Sequence, residues 1–402
     1  MRHLLIASPL VLALAACGLN GTDRDNDTGQ TGGTAASTQG SAAPVGADAM
    51  LSHDPLGNTP LDPAQTDDKP RPEMQAQVVL DRLGFTPGVV DGAMGMSTRN
   101  ALKGFQLANN LKQSGDLDEA TKQALGQWSN IPATRVVTIP ADFAAGPFYL
   151  IPKDPQDKAR MPGLGYQSLD EKLAERFHTT VAVLKELNPT GVSPTASASP
   201  TSTPSPAATA SGAVFAPQPG PPSFFRAGQQ LRVPNVGADR IDPAQVKDGD
   251  WLATLTMLGV GSEQPKADKI VVDKSAGTLL AYDSAGKLIA AFTATMGSTH
   301  DPLPLGNWKI LGVSKNPTFH YNPNLFWDAK ATDKKALLPA GPNGPVGVTW
   351  IDLSKEHYGI HGTPEPETIG RAESHGCVRL TNWDVARLAQ MVSGSTKVSF
   401  VA

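Results

Sequence analysis

The chain has 402 residues, with 34 Lys and Arg against 38 Asp and Glu, for a formal net charge of -4. That length predicts several domains, and near-neutral charge excludes a nucleic-acid binder, which needs a basic face to release counterions. The two cysteines, Cys17 and Cys377, exclude a disulfide framework and a cysteine-built zinc site, and 39 Gly with 35 Pro predict long linkers.

Arg2 precedes an apolar run over residues 4–16, shorter than the ~20 residues that cross a bilayer. Residues 1–16 therefore read as a secretory signal and are set aside from the fold. The segment Leu14-Ala15-Ala16-Cys17-Gly18 resembles the bacterial lipobox. The resemblance implies cleavage before Cys17 and lipidation of its thiol, and each buried CH₂ of the acyl chains adds ~0.8 kcal/mol of membrane affinity. Gly18 rather than Asp after the cysteine is similar to Gram-negative lipoproteins destined for the outer membrane. The implied location is the cell envelope, lipid-anchored and facing the periplasm. Residues 17–72 are poor in large apolar side chains, so they read as a disordered tether that cannot offset its ordering entropy.

Residues 73–128 are expected to fold. Ala76, Val79, Leu80 and Leu83 share one helix face, and Gly84 stops it. Val90-Asp91-Gly92-Ala93-Met94-Gly95 is turn chemistry. Ser97 is placed to cap a second helix carrying Ala101, Leu102, Phe105 and Ala108, and Asp118 a third with Ala120, Ala124 and Leu125. The stretches LDRLGFTPGVVDGAMGMSTRNALKGFQ and LDEATKQAL resemble the three-helix peptidoglycan-binding module. Wall binding and a purely positioning spacer are the two roles this implies.

Over residues 146–236, Leu169, Leu173, Phe177, Val181, Leu184 and Leu187 predict two helices around His178-Thr179-Thr180, and Asn188-Pro189 ends the second. The segment from Phe225 through Leu231-Arg232-Val233-Pro234 reads as a turn and a strand. Together these resemble a LysM module, a βααβ glycan binder, with its opening strand expected near Leu164-Gly165-Tyr166-Gln167. A Pro/Ser/Ala/Thr tract over residues 193–222 reads as a disordered insert. Glycan binding and a structural spacer both remain open for this segment.

Residues 266–402 form the largest expected domain. Ile270-Val271-Val272, Thr278-Leu279-Leu280-Ala281-Tyr282 and Leu288-Ile289-Ala290-Ala291-Phe292 are strand-like, and Asp283 to Lys287 make a hairpin connection. A helix follows near the end, with Val385, Leu388, Ala389 and Val392 on one face, Thr381 or Asn382 as its cap and Gly394 as its stop. The expected class is multidomain α+β, with a mostly β, sandwich-like C-terminal domain preceded by two small modules.

The chemistry gathers between Tyr358 and Arg379. Cys377 lies in Ser374-His375-Gly376-Cys377-Val378-Arg379, sixteen residues after His361 of Tyr358-Gly359-Ile360-His361-Gly362-Thr363. Strand alternation sends His361 to the face opposite Ile360. A neighbouring imidazole takes the proton of a thiol and leaves a reactive thiolate, and flanking glycines free N–H groups for a developing oxyanion. Thinly spread His and acidic residues show no metal-ligand spacing, so neither a catalytic metal nor a cofactor is expected.

The order HGT, IG, SHGCVRL and Asn382-Trp383-Asp384 resembles the signature of L,D-transpeptidases, the YkuD-type catalytic domain. Asp301-Pro302-Leu303-Pro304-Leu305-Gly306-Asn307-Trp308, Asn316-Pro317 through Phe326-Trp327, and the run from Pro339 to Gly347 are similar to the family's strand entry and groove segments. The resemblance covers residues 266–402. It implies Cys377 as nucleophile, His361 as general base and His375 as an assisting or oxyanion-shaping residue. Backbone N–H groups of Gly376 and Cys377 would hold the oxyanion. Arg379 would meet a stem-peptide carboxylate or make a structural salt bridge. Ser374 and Tyr358 would orient the site, and Gly362 and Thr363 would line the groove. His357 reads as a solvated surface residue.

The implied reaction releases D-Ala from a stem tetrapeptide, leaves a thioester on Cys377, and passes the acyl group to an amine. A second stem gives a 3–3 cross-link, and a lysine of an envelope lipoprotein gives protein attachment to the wall. Water as acceptor would make a hydrolase, and a non-catalytic wall-binding lipoprotein is the remaining alternative. Expected partners are stem peptides, glycan and a membrane reached through the lipid, with a monomer as the default.

Overall fold

In a computed structural model, which describes residues 67, 69–189, 215–236 and 241–402, the three expected N-terminal helices form. They are α1 (Pro72–Arg82), α2 (Met96–Ala108) and α3 (Glu119–Leu125), with a short strand β1 (Phe85–Thr86) after α1. Asp118 caps α3 by accepting from the Thr121 N–H, worth ~1 kcal/mol. The cap expected at Ser97 is not made: α2 starts at Met96 from Gly95, and Ser97 lies inside the first turn. Two buried glutamines organise the loops. The Gln77 amide donates to Asp91, Thr98 and the Ala93 carbonyl, and Gln106 donates to Ser114 and Thr121. The expected signal (1–16), Cys17, nearly all of the expected tether (17–72) and residues 193–214 of the expected insert lie outside the described residues.

The second module departs from expectation at its first strand. β2 (Thr134–Thr138) opens it, well before the expected segment 164–167. The chain then passes through short helices α4 (Ala141–Ala144) and α5 (Pro155–Lys158). It continues through α6 (Leu169–Arg176) and α7 (Val181–Leu187) to β3 (Gln230–Pro234), which pairs antiparallel with β2 from Thr134↔Pro234 to Thr138↔Gln230. The caps follow local chemistry, with Ser168 accepting from Glu171 N–H and Thr180 from Val183 N–H. The expected insert is shorter than 193–222, because Leu150 N–H donates to the Gln218 carbonyl and Gly220 N–H to the Phe148 carbonyl. Backbone pairing of this kind is what a low-complexity composition does not advertise.

A helix not expected from the sequence, α8 (Gly249–Leu258), precedes the C-terminal domain and puts Trp251, Leu255 and Leu258 into its core. The domain's core therefore begins before residue 266. Its strands are β4 (Lys269–Asp273), β5 (Thr278–Tyr282), β6 (Leu288–Thr293), β7 (Thr295–Met296), β8 (Gly306–Lys315), β9 (Phe319–Tyr321), β10 (Ala336–Leu338), β11 (Thr349–Leu353), β12 (Gly359–His361) and β13 (Val378–Arg379), followed by α9 (Asn382–Met391) and β14 (Lys397–Val401). The expected sandwich-like layers belong to one ten-stranded sheet, ordered β1-β6-β5-β4-β14-β8-β11-β12-β13-β7. Long β8 joins the two halves: Gly306 to Lys309 pair with β14, and Ile310 to Lys315 with β11. Thr381 caps α9 by accepting from Asp384 N–H.

The modules are fused along this sheet. β1 adds a parallel edge strand to β6, with Phe85↔Ala291 and Thr86↔Phe292. α2 lies so close that a Cβ on Gly104 would come within 2.6 Å of the Ala291 Cβ. Leu80, Phe85, Leu102 and Phe105 share a buried cluster with Leu288 and Ala291.

Candidate active site

β12 and β13 run parallel in register, with Ile360↔Val378 and His361↔Arg379. Alternation then decides which side chains meet. Ile360 and Val378 are fully buried in the core, so His361, Arg379 and Cys377 share the other face. That face floors a cleft of about 750 Å³ lined by Cys377, His361, Arg379, His375, Tyr358 and Trp350 among others. The thiol and the imidazole therefore occupy one cleft.

His361 is buried, and its Nδ1 lies 2.7 Å from the Gly362 carbonyl. A carbonyl only accepts, so Nδ1 carries the proton and Nε2 is left as the acceptor. Burial and the adjacent Arg379 guanidinium push the imidazole pKa from 6.5 down to about 4, against a smaller pull upward from Gly362. Trp350 stacks on the ring, with centroids 5.5 Å apart and planes 20° off parallel. Its indole also covers Gly359, where a Cβ would collide with it.

Burial pushes the Cys377 thiol up, more than the Gly359 N–H and Arg379 pull it down, and the Asp301 carboxylate adds to the rise. The Sγ donates to the His357 carbonyl at 3.7 Å. The resting pair is thus thiol and neutral imidazole, not the ready-made thiolate the sequence suggested. Low dielectric penalises both charged partners, so the thiolate arises only as attack begins.

The expected residues separate into two groups. Cys377, His361, His375, Arg379 and Tyr358 line the cleft. Arg379 has no ion-pair partner among the described residues, leaving its guanidinium open to a ligand. His375 Nε2 is taken by Asp328 at 2.9 Å, and its ring packs edge-on against Phe326. Ser374 is buried and works through the backbone: its Oγ accepts from Gly297 N–H at 2.7 Å and donates to the Cys377 carbonyl at 2.6 Å. Gly376 holds φ +95°, and a Cβ there would lie 2.5 Å from the Tyr358 ring, so only glycine fits.

Gly362 and Thr363, expected in the groove, are turned away from it. Gly362 packs beneath, against Asn382 Oδ1 and Val385, and buried Thr363 accepts from Glu365 N–H. Past His361 the strand ends, and alternation no longer predicts direction.

Other contributors escaped the sequence reading. His357 keeps an exposed side chain, but its left-handed backbone (φ 67°) accompanies the carbonyl that receives the thiol. Pro155 and Lys158 of α5 reach the cleft from the second module. The segment is fastened there by Gln156 Nε2 to the Lys334 carbonyl and Leu164 N–H to the Ala340 carbonyl. A Cβ on Gly341 would collide with the Leu164 carbonyl, so that glycine admits the approach. Nothing in local sequence signals a contact made across so much chain. His300 stacks on Trp327 at 4.4 Å, and Trp327 packs against His375.

The family described as "L,D-transpeptidase catalytic domain" matches residues 267–399, and the family described as "Putative peptidoglycan binding domain" matches residues 74–125. The chain is 55% identical over 176 residues to "Putative L,D-transpeptidase YkuD" of Bacillus licheniformis, covering 44% of this chain and 87% of that protein. It is 29% identical over 136 residues to "Probable L,D-transpeptidase YbiS" of Escherichia coli K12, covering 33% of this chain and 44% of the relative. Among solved structures, "L,D-transpeptidase from Mycobacterium smegmatis" aligns with a TM-score of 0.28 and 22% identity, over 34% of this chain and 59% of that one.

Proposed function

The chain belongs to the L,D-transpeptidase family, and from that premise we propose that it transfers peptidoglycan stem peptides through a thioester on Cys377. The observation that carries the reading is the cleft shared by Cys377, His361 and Arg379, whose guanidinium has no ion-pair partner among the described residues. His361 Nε2 takes the thiol proton as Sγ attacks the carbonyl carbon of the third stem residue. Backbone N–H groups of Gly376 and Cys377 hold the oxyanion. As the C–N bond breaks, His361 returns the proton to departing D-Ala, and the thioester remains. An amine then attacks, the C–S bond breaks, and the proton passes through His361 back to Sγ. Arg379 receives a stem carboxylate as a charge-assisted fork, and Tyr358 and Ser374 hold the nucleophile loop in place. His375, tied to Asp328, shapes the cleft wall.

The acceptor in this reading is an amine of a second stem or a lysine of an envelope lipoprotein. The peptidoglycan-binding domain and a LysM-like second module concentrate the enzyme on its polymer, and Cys17 anchors it by lipid to the outer membrane, facing the periplasm.

Intact-mass measurement of the full chain with a carbapenem-type β-lactam and with a stem tetrapeptide tests the thiol. One acyl adduct on Cys377 is expected, absent from Cys377→Ala. An adduct that survives Cys377→Ala sinks the mechanism. Mass spectrometry of the products with an added amine then reads transfer directly: release of tripeptide alone assigns a hydrolase, and unchanged wall products in cells carrying Cys377→Ala assign a binding protein.

A further inference from the structure

The turn leading into β8 sets a carboxylate on the wall of the cleft that holds the nucleophile. Ser374 fastens this turn to the loop before Cys377. Its Oγ accepts from Gly297 N–H at 2.7 Å, its N–H donates to the Gly297 carbonyl at 3.1 Å, and its Oγ donates to the Cys377 carbonyl at 2.6 Å. Gly297 (φ +60°) lets the following residues fold back, since a Cβ there would lie 2.5 Å from Leu303 N. Inside the turn, Ser298 N–H donates to the Asp301 carbonyl at 2.8 Å and Asp301 N–H to Ser298 Oγ at 2.9 Å. The backbone of Asp301 is therefore fixed on both sides.

Its side chain is not. Asp301 lines the catalytic cleft, yet Oδ2 is sealed from solvent and accepts no hydrogen bond among the described residues. Buried acceptors are almost always satisfied in folded proteins, so this oxygen is suited to a donor that arrives from outside. Its charge reaches both Cys377 and Tyr358, whereas the Arg379 guanidinium reaches Cys377 and His361. A substrate carboxylate is drawn to the guanidinium and repelled by Asp301. The acyl acceptor brings the opposite charge, because a primary alkylamine is an ammonium near neutral pH.

We infer that Asp301 is the acceptor-binding residue, its unfastened carboxylate turning toward the cleft to receive the ammonium of the incoming amine and hold its nitrogen for attack on the thioester. The inference rests on the transfer reading above. The bound ammonium releases one proton to water, and the neutral nitrogen attacks the thioester carbonyl. The C–N bond forms as the C–S bond breaks, and the second proton passes through His361 to Sγ. Asp301 supplies placement and charge, not the base.

The test compares two acceptors on one acyl-enzyme. The full chain is loaded with a stem tetrapeptide at pH 7 and offered Nα-acetyl-L-lysine amide, a cationic amine, or hydroxylamine, whose nitrogen is uncharged at that pH. For Asp301→Asn the ratio of lysine-amide to hydroxylamine product is expected to fall about tenfold, the scale of one charge-assisted hydrogen bond. A ratio that does not move overturns the assignment, as does an equal loss with both acceptors, which marks a structural role. Asp301→Glu, which keeps the carboxylate, should exceed Asp301→Gln in the same ratio; equality of those two overturns it even where Asp301→Asn fails to fold. Failure of the broader reading looks different. A wild-type chain without a Cys377 adduct sinks the thiol mechanism, and one that forms the adduct but transfers to neither amine sinks transfer and this role together.

Discussion

The proton of the Cys377–His361 pair is shared between two groups that both resist charge. Burial and Arg379 bring the imidazole down to about 4, and burial lifts the thiol above its ordinary value. Between those limits the pair holds one proton and is competent; below the lower one the imidazole is occupied and cannot accept. The rate of β-lactam adduct formation is therefore expected to stay level through the neutral range and fall in acid through about pH 4, not near the ordinary 6.5. Iodoacetamide, which consumes only thiolate, should react slowly at pH 7 and accelerate in alkali. Arg379→Gln removes the neighbouring positive charge, so the acid limb should move upward toward 6.5. A wild-type midpoint near that value would contradict this account of the pair.

At the scale of elements, α6 reaches beneath the catalytic strand. Glu175 is buried and accepts from Asn382 Nδ2 at 2.7 Å, and Asn382 Oδ1 accepts from Val348 N–H at 3.2 Å. Burial, with smaller contributions from Glu171 and Glu367, raises the Glu175 pKa from 4.5 to about 7 despite that hydrogen bond. Between those values the folded state binds more protons than the unfolded one, so stability falls as pH rises through the window. The contribution is complete below 4.5 and gone above about 7. Glu175→Gln keeps an acceptor and removes the titration. Its melting temperature should vary less between pH 5 and pH 8 than that of the wild type; an undiminished difference in calorimetry would place the titration elsewhere. Such a contact shows how far sequence carries. β12 was legible because alternation survives in a paired strand, and α6 and α7 because their apolar periodicity is local. α8 carries readable signals as well, an Asp248 cap, Trp251, Leu255 and Leu258 on one face, and a left-handed Gly259 stop. The Glu175–Asn382 and Lys158 contacts had none, because they depend on where distant segments dock.

Across the whole molecule, one buried polar centre ties the modules together. Asp81 of α1 takes Arg387 of α9 through two hydrogen bonds, Nη1 to Oδ1 at 3.1 Å and Nη2 to Oδ2 at 2.9 Å. His178, between α6 and α7, sets Nδ1 3.1 Å from the same carboxylate and Nε2 2.9 Å from the Leu258 carbonyl of α8, and stacks on Trp383 at 4.8 Å. Burial alone would raise the Asp81 pKa, but Arg387 and His178 hold it well below the usual carboxylate range. Nearby Asp384 is lifted to about 6 by burial, with Arg387 opposing the rise. Removing the guanidinium strands two buried carboxyls at once. Breaking a buried pair from one side costs about 3–5 kcal/mol, mostly from the charge left behind. Arg387→Ala should lower the urea midpoint of the full chain accordingly, and Asp81→Leu combined with Arg387→Ala should recover part of the loss because the stranded charge goes with it. The fused β1–β6 edge and this centre together predict that α1 to α3 unfold with the catalytic sheet in one transition. A separate early transition for those helices, or a double variant whose loss equals the sum of the singles, would mean that the modules share a surface without sharing their stability.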